Sequence, residues 1–204
     1  MALSEEVTTL DKFIVQQRFA PMVNTYTVHE VGTDDNSDGR VLAKVRQKRM
    51  KIREQVNFTE GETDTPFLQI KARKVFEFRG RSDVRLPDGT AIGSLQKVFG
   101  ASLLRSTWQI LDAQGGIVAT AEESDMFIAI LRRVWGWIPV VGEVPFLLPF
   151  HFTIKVDGRE VGKYRRIWSW RDRYVMDLTG DTERRIDRRV AIAFAIALDA
   201  LQDR

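Results

Sequence analysis

The chain has 204 residues, with 31 Lys and Arg against 28 Asp and Glu and a formal net charge of +3; 44% of it is hydrophobic. That is enough apolar material for a core in one domain, and it excludes wholesale disorder. There is no Cys and there are two His, His29 and His151. This excludes disulfides, thiolate zinc, iron–sulfur clusters, Cys nucleophiles and multi-His metal sites.

Residues 1–10 carry Glu5 and Glu6 and no apolar run, so they are expected to be a disordered tail and neither a secretory signal nor a transit peptide. The chain is then expected to fold as a single domain. Runs rich in β-branched and aromatic residues predict strands at 24–31, 41–47, 74–79, 91–99, 107–111, 117–122, 152–156, 161–168 and 173–178. The dipeptides Asp38-Gly39, Asp88-Gly89, Gly115-Gly116 and Asp157-Gly158 lie between them as hairpin signals.

Two of these hairpins match without a gap. Asp88-Gly-Thr-Ala-Ile-Gly-Ser-Leu-Gln-Lys-Val-Phe99 aligns with Asp157-Gly-Arg-Glu-Val-Gly-Lys-Tyr-Arg-Arg-Ile-Trp168, and Asp38-Gly39 opens a weaker third copy. The match favours an internal repeat and a quasi-symmetric β-architecture.

The stretch 34–41, Asp-Asp-Asn-Ser-Asp-Gly-Arg-Val, has the opening of a calcium loop, but position 12 is Val45 where a bidentate Glu is needed. An acidic hairpin loop is the better reading. Residues 44–53 hold Lys44, Arg46, Lys48, Arg49, Lys51 and Arg53. The period-two parity of the run switches once, which predicts a bulge or strand break near 48–50. The stretch 134–150 is apolar except for Glu143, but Pro139, Pro145 and Pro149 exclude a spanning helix. Residues 177–182, Asp-Leu-Thr-Gly-Asp-Thr, read as a turn before a helix.

Asp181 is the expected N-cap of a helix over 181–202. Residues 190–198, Val-Ala-Ile-Ala-Phe-Ala-Ile-Ala-Leu, make it apolar on every side, yet it is too short to cross a bilayer. Such a helix must be enclosed by protein. A helix with its side chains is about 10–12 Å across, and a barrel of about eight strands fills itself. The sequence therefore predicts a closed antiparallel barrel of about twelve strands threaded by a C-terminal helix. A two-sheet sandwich with the helix across one end is the alternative.

The chain resembles the LURP-one-related family, in the superfamily of phospholipid scramblases and Tubby C-terminal domains. The resemblance rests on Val45-Arg-Gln-Lys-Arg-Met-Lys-Ile-Arg-Glu54, on Lys74-Val-Phe-Glu-Phe-Arg-Gly-Arg-Ser-Asp-Val84 leading into Asp88-Gly89, and on Leu104-Arg-Ser-Thr-Trp-Gln-Ile-Leu111. It extends to 174–178, to Asp187-Arg-Arg-Val-Ala-Ile192 and to Ala197-Leu-Asp-Ala-Leu201. The resemblance implies a twelve-stranded barrel around a hydrophobic C-terminal helix. The Pro-rich insert from Trp135 to Pro149 departs from the family pattern, and the acidic calcium segment of scramblases has no counterpart here. The likeness to Tubby itself is at fold level, so its phosphoinositide-contacting residues are not placed on this chain.

No Gly-x-Ser-x-Gly elbow, phosphate-binding Walker loop or dinucleotide fingerprint occurs. No catalytic residue, cofactor or metal site is assigned, and the expectation is a non-enzymatic cytoplasmic protein, monomeric and able to sit peripherally on a membrane. The candidate site for an anionic lipid surface or a phosphoinositide-like headgroup is Arg46, Lys48, Arg49, Lys51, Arg53, Lys71, Arg73 and Lys74, provided the two strands that carry them are neighbours. Trp135, Trp137, Phe146 and Leu147 of the insert are candidate membrane-contact residues; the alternative is a loop over a barrel mouth. A protein partner is a further expected class. Nucleic acid is disfavoured, because the basic run lacks interleaved aromatics. An enzyme or ligand carrier at a barrel mouth is the remaining alternative.

Overall fold

The computed structural model describes residues 3–18, 23–33, 37–48, 55–61, 63, 65–72, 80–98, 106–124, 151–167 and 172–202. Twelve antiparallel strands form one closed ring in sequence order, in which β1 (Lys12–Arg18) returns to β12 (Asp172–Asp177). Between them run β2 (Val23–Val31), β3 (Asp38–Lys48), β4 (Gln55–Glu60), β5 (Pro66–Ala72), β6 (Arg81–Arg85) and β7 (Ala91–Val98). The ring continues through β8 (Thr107–Asp112), β9 (Ile117–Glu123), β10 (Phe152–Val156) and β11 (Arg159–Ile167). Closure leaves no sheet edge and excludes the sandwich.

The predicted strands fall on observed ones, with two qualifications. The stretch 74–79 lies outside the described residues, as do Phe99 and Trp168 at two strand ends. β1, β4, β5 and β6 have no counterpart among the predicted strands. Their sequences mix polar and charged residues with the apolar ones, and only the alternating half faces inward. β3 ends at Lys48, and the predicted parity switch at 48–50 otherwise lies outside the described residues.

Inside the ring runs α2 (Arg188–Gln202), and Val190 through Leu198 are all buried. Phe194 is its centre, edge-on to Trp108 at 6.3 Å and to Phe152 at 6.4 Å between ring centroids. Two glycines make room for a close approach of the neighbouring strand, and the first also for the helix end. A Cβ on Gly93 would stand 2.7 Å from the Leu111 carbonyl and 2.9 Å from Val190; one on Gly162 would stand 2.4 Å from the Asp177 carbonyl. These are the equivalent sixth positions of the two matched hairpins. The turns themselves differ: Asp157 and Gly158 both have positive φ, 49° and 79°, whereas in the other hairpin Gly89 alone does, at 89°.

The helix is shorter than the 181–202 predicted. Arg184 sits at φ 52°, which a continuous right-handed helix does not permit. Asp187 is the N-cap, accepting from the Arg189 amide at 2.9 Å. Asp181 instead closes the preceding turn, accepting from the amides of Arg185 and Ile186 at 2.9 and 3.0 Å.

Asp181 also meets the buried guanidinium of Arg188 at 2.5 Å. All five N–H donors of Arg188 are used: Nε on the Leu10 carbonyl, Nη1 on Asp181 and the Ile186 carbonyl, Nη2 on Asp11 and the Asp181 carbonyl. Arg184 donates to the Thr8 and Thr9 carbonyls at 2.8 and 3.0 Å. These contacts correct the expected disordered tail. Residues 3–7 form a short helix, α1 (Leu3–Val7), with Val7 fully buried in the core. Arginines 175 to 178 residues downstream in the fold's last segment supply the order that the tail's own sequence lacks.

A small second core lies outside the barrel wall. Ile14, Ile167 and Val175 point outward yet are buried, with Val31 packed on them. The β2–β3 hairpin shifts register twice and bends over them, and Asp38 at its tip ion-pairs with Arg173 of β12. The β1–β12 seam beneath carries a further pair, Lys12 to Asp177 at 3.1 Å. Burial pushes the Asp177 carboxyl up, but hydrogen bonds from Thr179 and from Lys12 outweigh it and hold the group below its ordinary range.

Two stability predictions follow from the seam and the helix end. Arg188→Met leaves the Asp181 carboxylate buried without its cation, and a urea titration should show a loss of about 3–5 kcal/mol. Adding Asp181→Asn removes the stranded charge and should recover part of that loss. Asp177 is lowered when folded, so its contribution is present above the unfolded value near pH ~3.9 and is lost as pH falls through the folded value. Asp177→Asn should therefore lower stability at neutral pH and flatten the acid limb of a stability–pH curve; an unchanged acid limb would contradict this.

Candidate functional site

The antiparallel ring sorts its connections between two ends. The amide of Leu178 donates to the Asp11 carbonyl at 2.8 Å, so β1 starts, and β12 stops, at the end where Arg188 anchors the helix. The Asp38-Gly39, Asp88-Gly89, Gly115-Gly116 and Asp157-Gly158 turns share that anchored end. The β4–β5 connection at 61–65 lies there too, and the connections 19–22, 49–54, 73–79, 99–105, 125–150 and 168–171 join strands at the far end.

This bears directly on the residues singled out from sequence. Arg49, Lys51, Arg53, Arg73, Lys74, Trp135, Trp137, Phe146 and Leu147 lie outside the described residues. The strands that lead into their segments nevertheless end on one rim, at Lys48, Gln55, Ala72, Arg81, Glu123 and Phe152. Arg46 and Lys44 are exposed on β3, and Lys71 is exposed on β5. The condition that their strands be neighbours is not met, because β4 lies between β3 and β5. The reason lies in the hairpin connectivity: each strand pairs with the next in sequence, and 55–60 is itself a strand. The outward residues of β4 are uncharged: Gln55 and Asn57 are exposed and hydrogen-bonded to each other at 2.7 Å.

Topology adds a cation that the sequence pattern did not reveal. Arg18 of β1 faces Thr25 of β2, and Thr25 faces Arg46 of β3. Gln16, Thr27 and Lys44 form the adjacent row. Phe13 and Val15 point into the barrel, so Gln16 and Arg18 point out, and Arg18 is exposed. Arg18 and Lys44 are 26 residues apart in sequence, and no local motif marks the relation.

These cations, like Arg159 and Arg165 on β11, have no carboxylate partner among the described residues, whereas most of the other surface cations do. Arg40 pairs with Glu6 and Glu30, Lys155 with Glu122, Lys163 with Glu160, Arg173 with Asp38, Arg185 with Asp157 and Arg189 with Asp187. Among the described residues no carboxylate pairs with Arg18, Lys44, Arg46 or Lys71, although Asp83 stands opposite Lys71 and is itself paired with Arg85 at 3.0 Å.

The interior toward the same end is partly polar. Gln17 donates to the Tyr26 hydroxyl at 3.4 Å, Glu123 accepts from the Ser106 amide at 3.3 Å, and Tyr164 stacks on Tyr174 with centroids 5.1 Å apart. Lys97 lies 5.7 Å from the Trp108 ring centre, whose indole N–H is buried without an acceptor. His29, on β2, has Nδ1 3.3 Å from the Gly39 carbonyl, which assigns it a structural contact in the hairpin. Among the described residues no group of three or more His, Asp or Glu is placed to hold a metal, and no helix is long and apolar enough to cross a membrane.

Residues 41–199 match the sequence pattern of the LURP-one-related family, which covers β3 to the last turns of α2. The chain belongs to the LURP-one-related family. No curated protein matches it. The matched region contains Lys44, Arg46 and Lys71, whereas Arg18, Thr25 and Thr27 precede it. In this LURP-one-related barrel the family region therefore supplies part of the unpaired basic surface, and the first two strands supply the rest. What this surface can do chemically is hold anions: two guanidiniums and two ammoniums, with threonine hydroxyls between.

Proposed function

We propose that this LURP-one-related protein is a non-enzymatic, cytoplasmic β-barrel that associates peripherally with anionic phospholipid surfaces. The carrying observation is the contrast in pairing: among the described residues, Arg18, Lys44, Arg46 and Lys71 lack carboxylate partners on a surface where most other cations have them. Charges neutralised within the protein contribute little to an external anion, whereas each basic residue held near an anionic leaflet contributes about 1 kcal/mol. Four such residues give about 4 kcal/mol, or roughly a thousandfold in partitioning. The segment with Arg49, Lys51 and Arg53 connects β3 to β4 at the far end, next to this surface, and the segment with Trp135, Trp137, Phe146 and Leu147 connects β9 to β10 at the same end but across the ring. Interfacial aromatics would add to an electrostatic contact made there. The interior supports a binding role over catalysis, since α2 fills the barrel with Val190 to Leu198.

Co-sedimentation with vesicles tests the proposal. Vesicles containing phosphatidylglycerol should carry the protein down, and zwitterionic vesicles should not. Lys44→Glu/Arg46→Glu should weaken sedimentation at least tenfold, and raised salt should do the same. Arg159→Glu/Lys163→Glu makes the same charge change at the anchored end and should leave it nearly unaltered. Equal sedimentation with both vesicle types, or equal loss from both double variants, would sink the reading.

A further inference from the structure

The unpaired surface holds a more specific arrangement than a general positive charge. Arg18 and Arg46 flank Thr25 from opposite sides, each on the strand next to it. With strands about 4.8 Å apart, the two arginines are rooted about 10 Å from each other on one face. Thr25 sits midway, and its side chain points the same way as theirs. Lys44 follows two positions along β3, about 7 Å from Arg46, and faces Thr27. The outward residues of β1, β2 and β3 in this half are Gln16, Arg18, Thr25, Thr27, Lys44 and Arg46, and no carboxylate is among them.

We propose that Arg18, Thr25 and Arg46 form a phosphate-binding cradle selective for phosphomonoesters, with Lys44 and Thr27 receiving the neighbouring oxygens of the same ligand. It rests on the peripheral membrane reading above and deepens it by naming the headgroup chemistry. Three features favour a monoester. A phosphomonoester carries close to two negative charges and three free oxygens near neutral pH, against one charge and two free oxygens for a diester. Two guanidiniums approaching from opposite sides can each donate two parallel hydrogen bonds; three free oxygens accept these four with only one oxygen shared, whereas the two free oxygens of a diester must both be shared. The threonine hydroxyl between them adds a fifth donor to the same group. A carboxylate headgroup satisfies one arginine and leaves the other idle.

Only β1 brings the second guanidinium, and β1 lies before the residues that match the family pattern. The cradle is thus a property of this chain's first three strands. Its ligand chemistry is shared by a lipid such as phosphatidic acid and by a soluble phosphomonoester such as glycerol 3-phosphate.

The experiment separates these sources and separates this inference from the general membrane reading. Wild type, Arg18→Lys and Arg46→Lys are each sedimented with phosphatidic acid and with phosphatidylglycerol vesicles matched in surface charge. The lysine variants keep the positive charge and lose the planar fork. Wild type should favour phosphatidic acid by about tenfold, and each lysine variant should retain phosphatidylglycerol binding while losing that preference. Equal wild-type binding to the two lipids overturns the cradle and leaves general electrostatic association standing. If neither vesicle binds, the membrane reading fails, and titration of the Thr25 amide resonance with glycerol 3-phosphate decides the cradle alone. A saturable shift lost in Arg18→Lys supports a soluble phosphomonoester as the ligand; no shift overturns the site. Thermal unfolding of both variants, expected to match wild type because both positions are exposed strand surface, confirms that the fold is intact.

Discussion

The structure depends on enclosing a helix that is apolar on every side, and Arg188 is where that enclosure is fixed. A helix with no polar face has no preferred rotation against a uniformly apolar wall. Register and depth must come from its end. Arg188 supplies them by spending all five N–H donors on Leu10, Asp11, Asp181 and Ile186. One side chain thereby ties the start of β1, the turn after β12 and the first turn of α2. A buried ion pair seldom adds net stability over an apolar replacement, because both charges lose their hydration. What this one adds is position, and its geometry is demanding enough to hold the seam strands β1 and β12 at one level. Depth then sets Val190 against Gly93, where the absent side chain lets the helix meet the wall.

The ring also shows why the repeated hairpins could be read from sequence. The hairpins opened by Asp38-Gly39, Asp88-Gly89 and Asp157-Gly158 lead into β3, β7 and β11, four strands apart around a twelve-strand ring. Two copies keep glycine at the sixth position because the neighbouring strand approaches there, the Leu111 carbonyl at Gly93 and the Asp177 carbonyl at Gly162, with the helix end also meeting Gly93. The third has Ala43 in that place, and its hairpin is bulged and bent outward to cover Ile14, Ile167 and Val175. The weakness of the third copy in sequence thus coincides with a different task. Alternation and Asp-Gly turns are local signals, and they made the barrel legible. The strands they missed, β1, β4, β5 and β6, are stabilised mainly by neighbours on either side, which no local window contains. The same holds for α1, whose carbonyls are gripped by arginines of the last segment.

The site was legible to a lesser degree, for the same physical reason. A run such as 44–53 announces itself, because its cations are consecutive in sequence. Its strand neighbours do not. β4 separates β3 from β5, so Lys71 stands further from Arg46 than adjacency would place it. β2 brings Arg18 within two strands of Arg46, although nothing in residues 12–18 distinguishes that arginine from any other surface cation. Cross-strand proximity depends on ring order and register together, and a shift of one residue would turn Arg18 inward. The register that exposes it is fixed from inside, by Phe13 and Val15 in the core and Gln17 on Tyr26.

The two ends of the barrel divide the labour of charge. At the anchored end and along the seam, cations are matched by Asp11, Asp38, Asp157, Asp177 and Asp181. These pairs close turns and fix the helix, and their fields largely cancel beyond the surface. Over β1 to β3 toward the far end, the cations face threonines and glutamine, so their field extends into solvent to about a Debye length. A formal net charge of +3 over the whole chain conceals this division. An anion approaching the molecule responds to where unpaired charge is gathered, and the first three strands gather it on one face toward the far end. Stability and recognition thus draw on different arginines: Arg188 and Arg184 are consumed by the fold, while Arg18 and Arg46 are held by it at a defined spacing and left open.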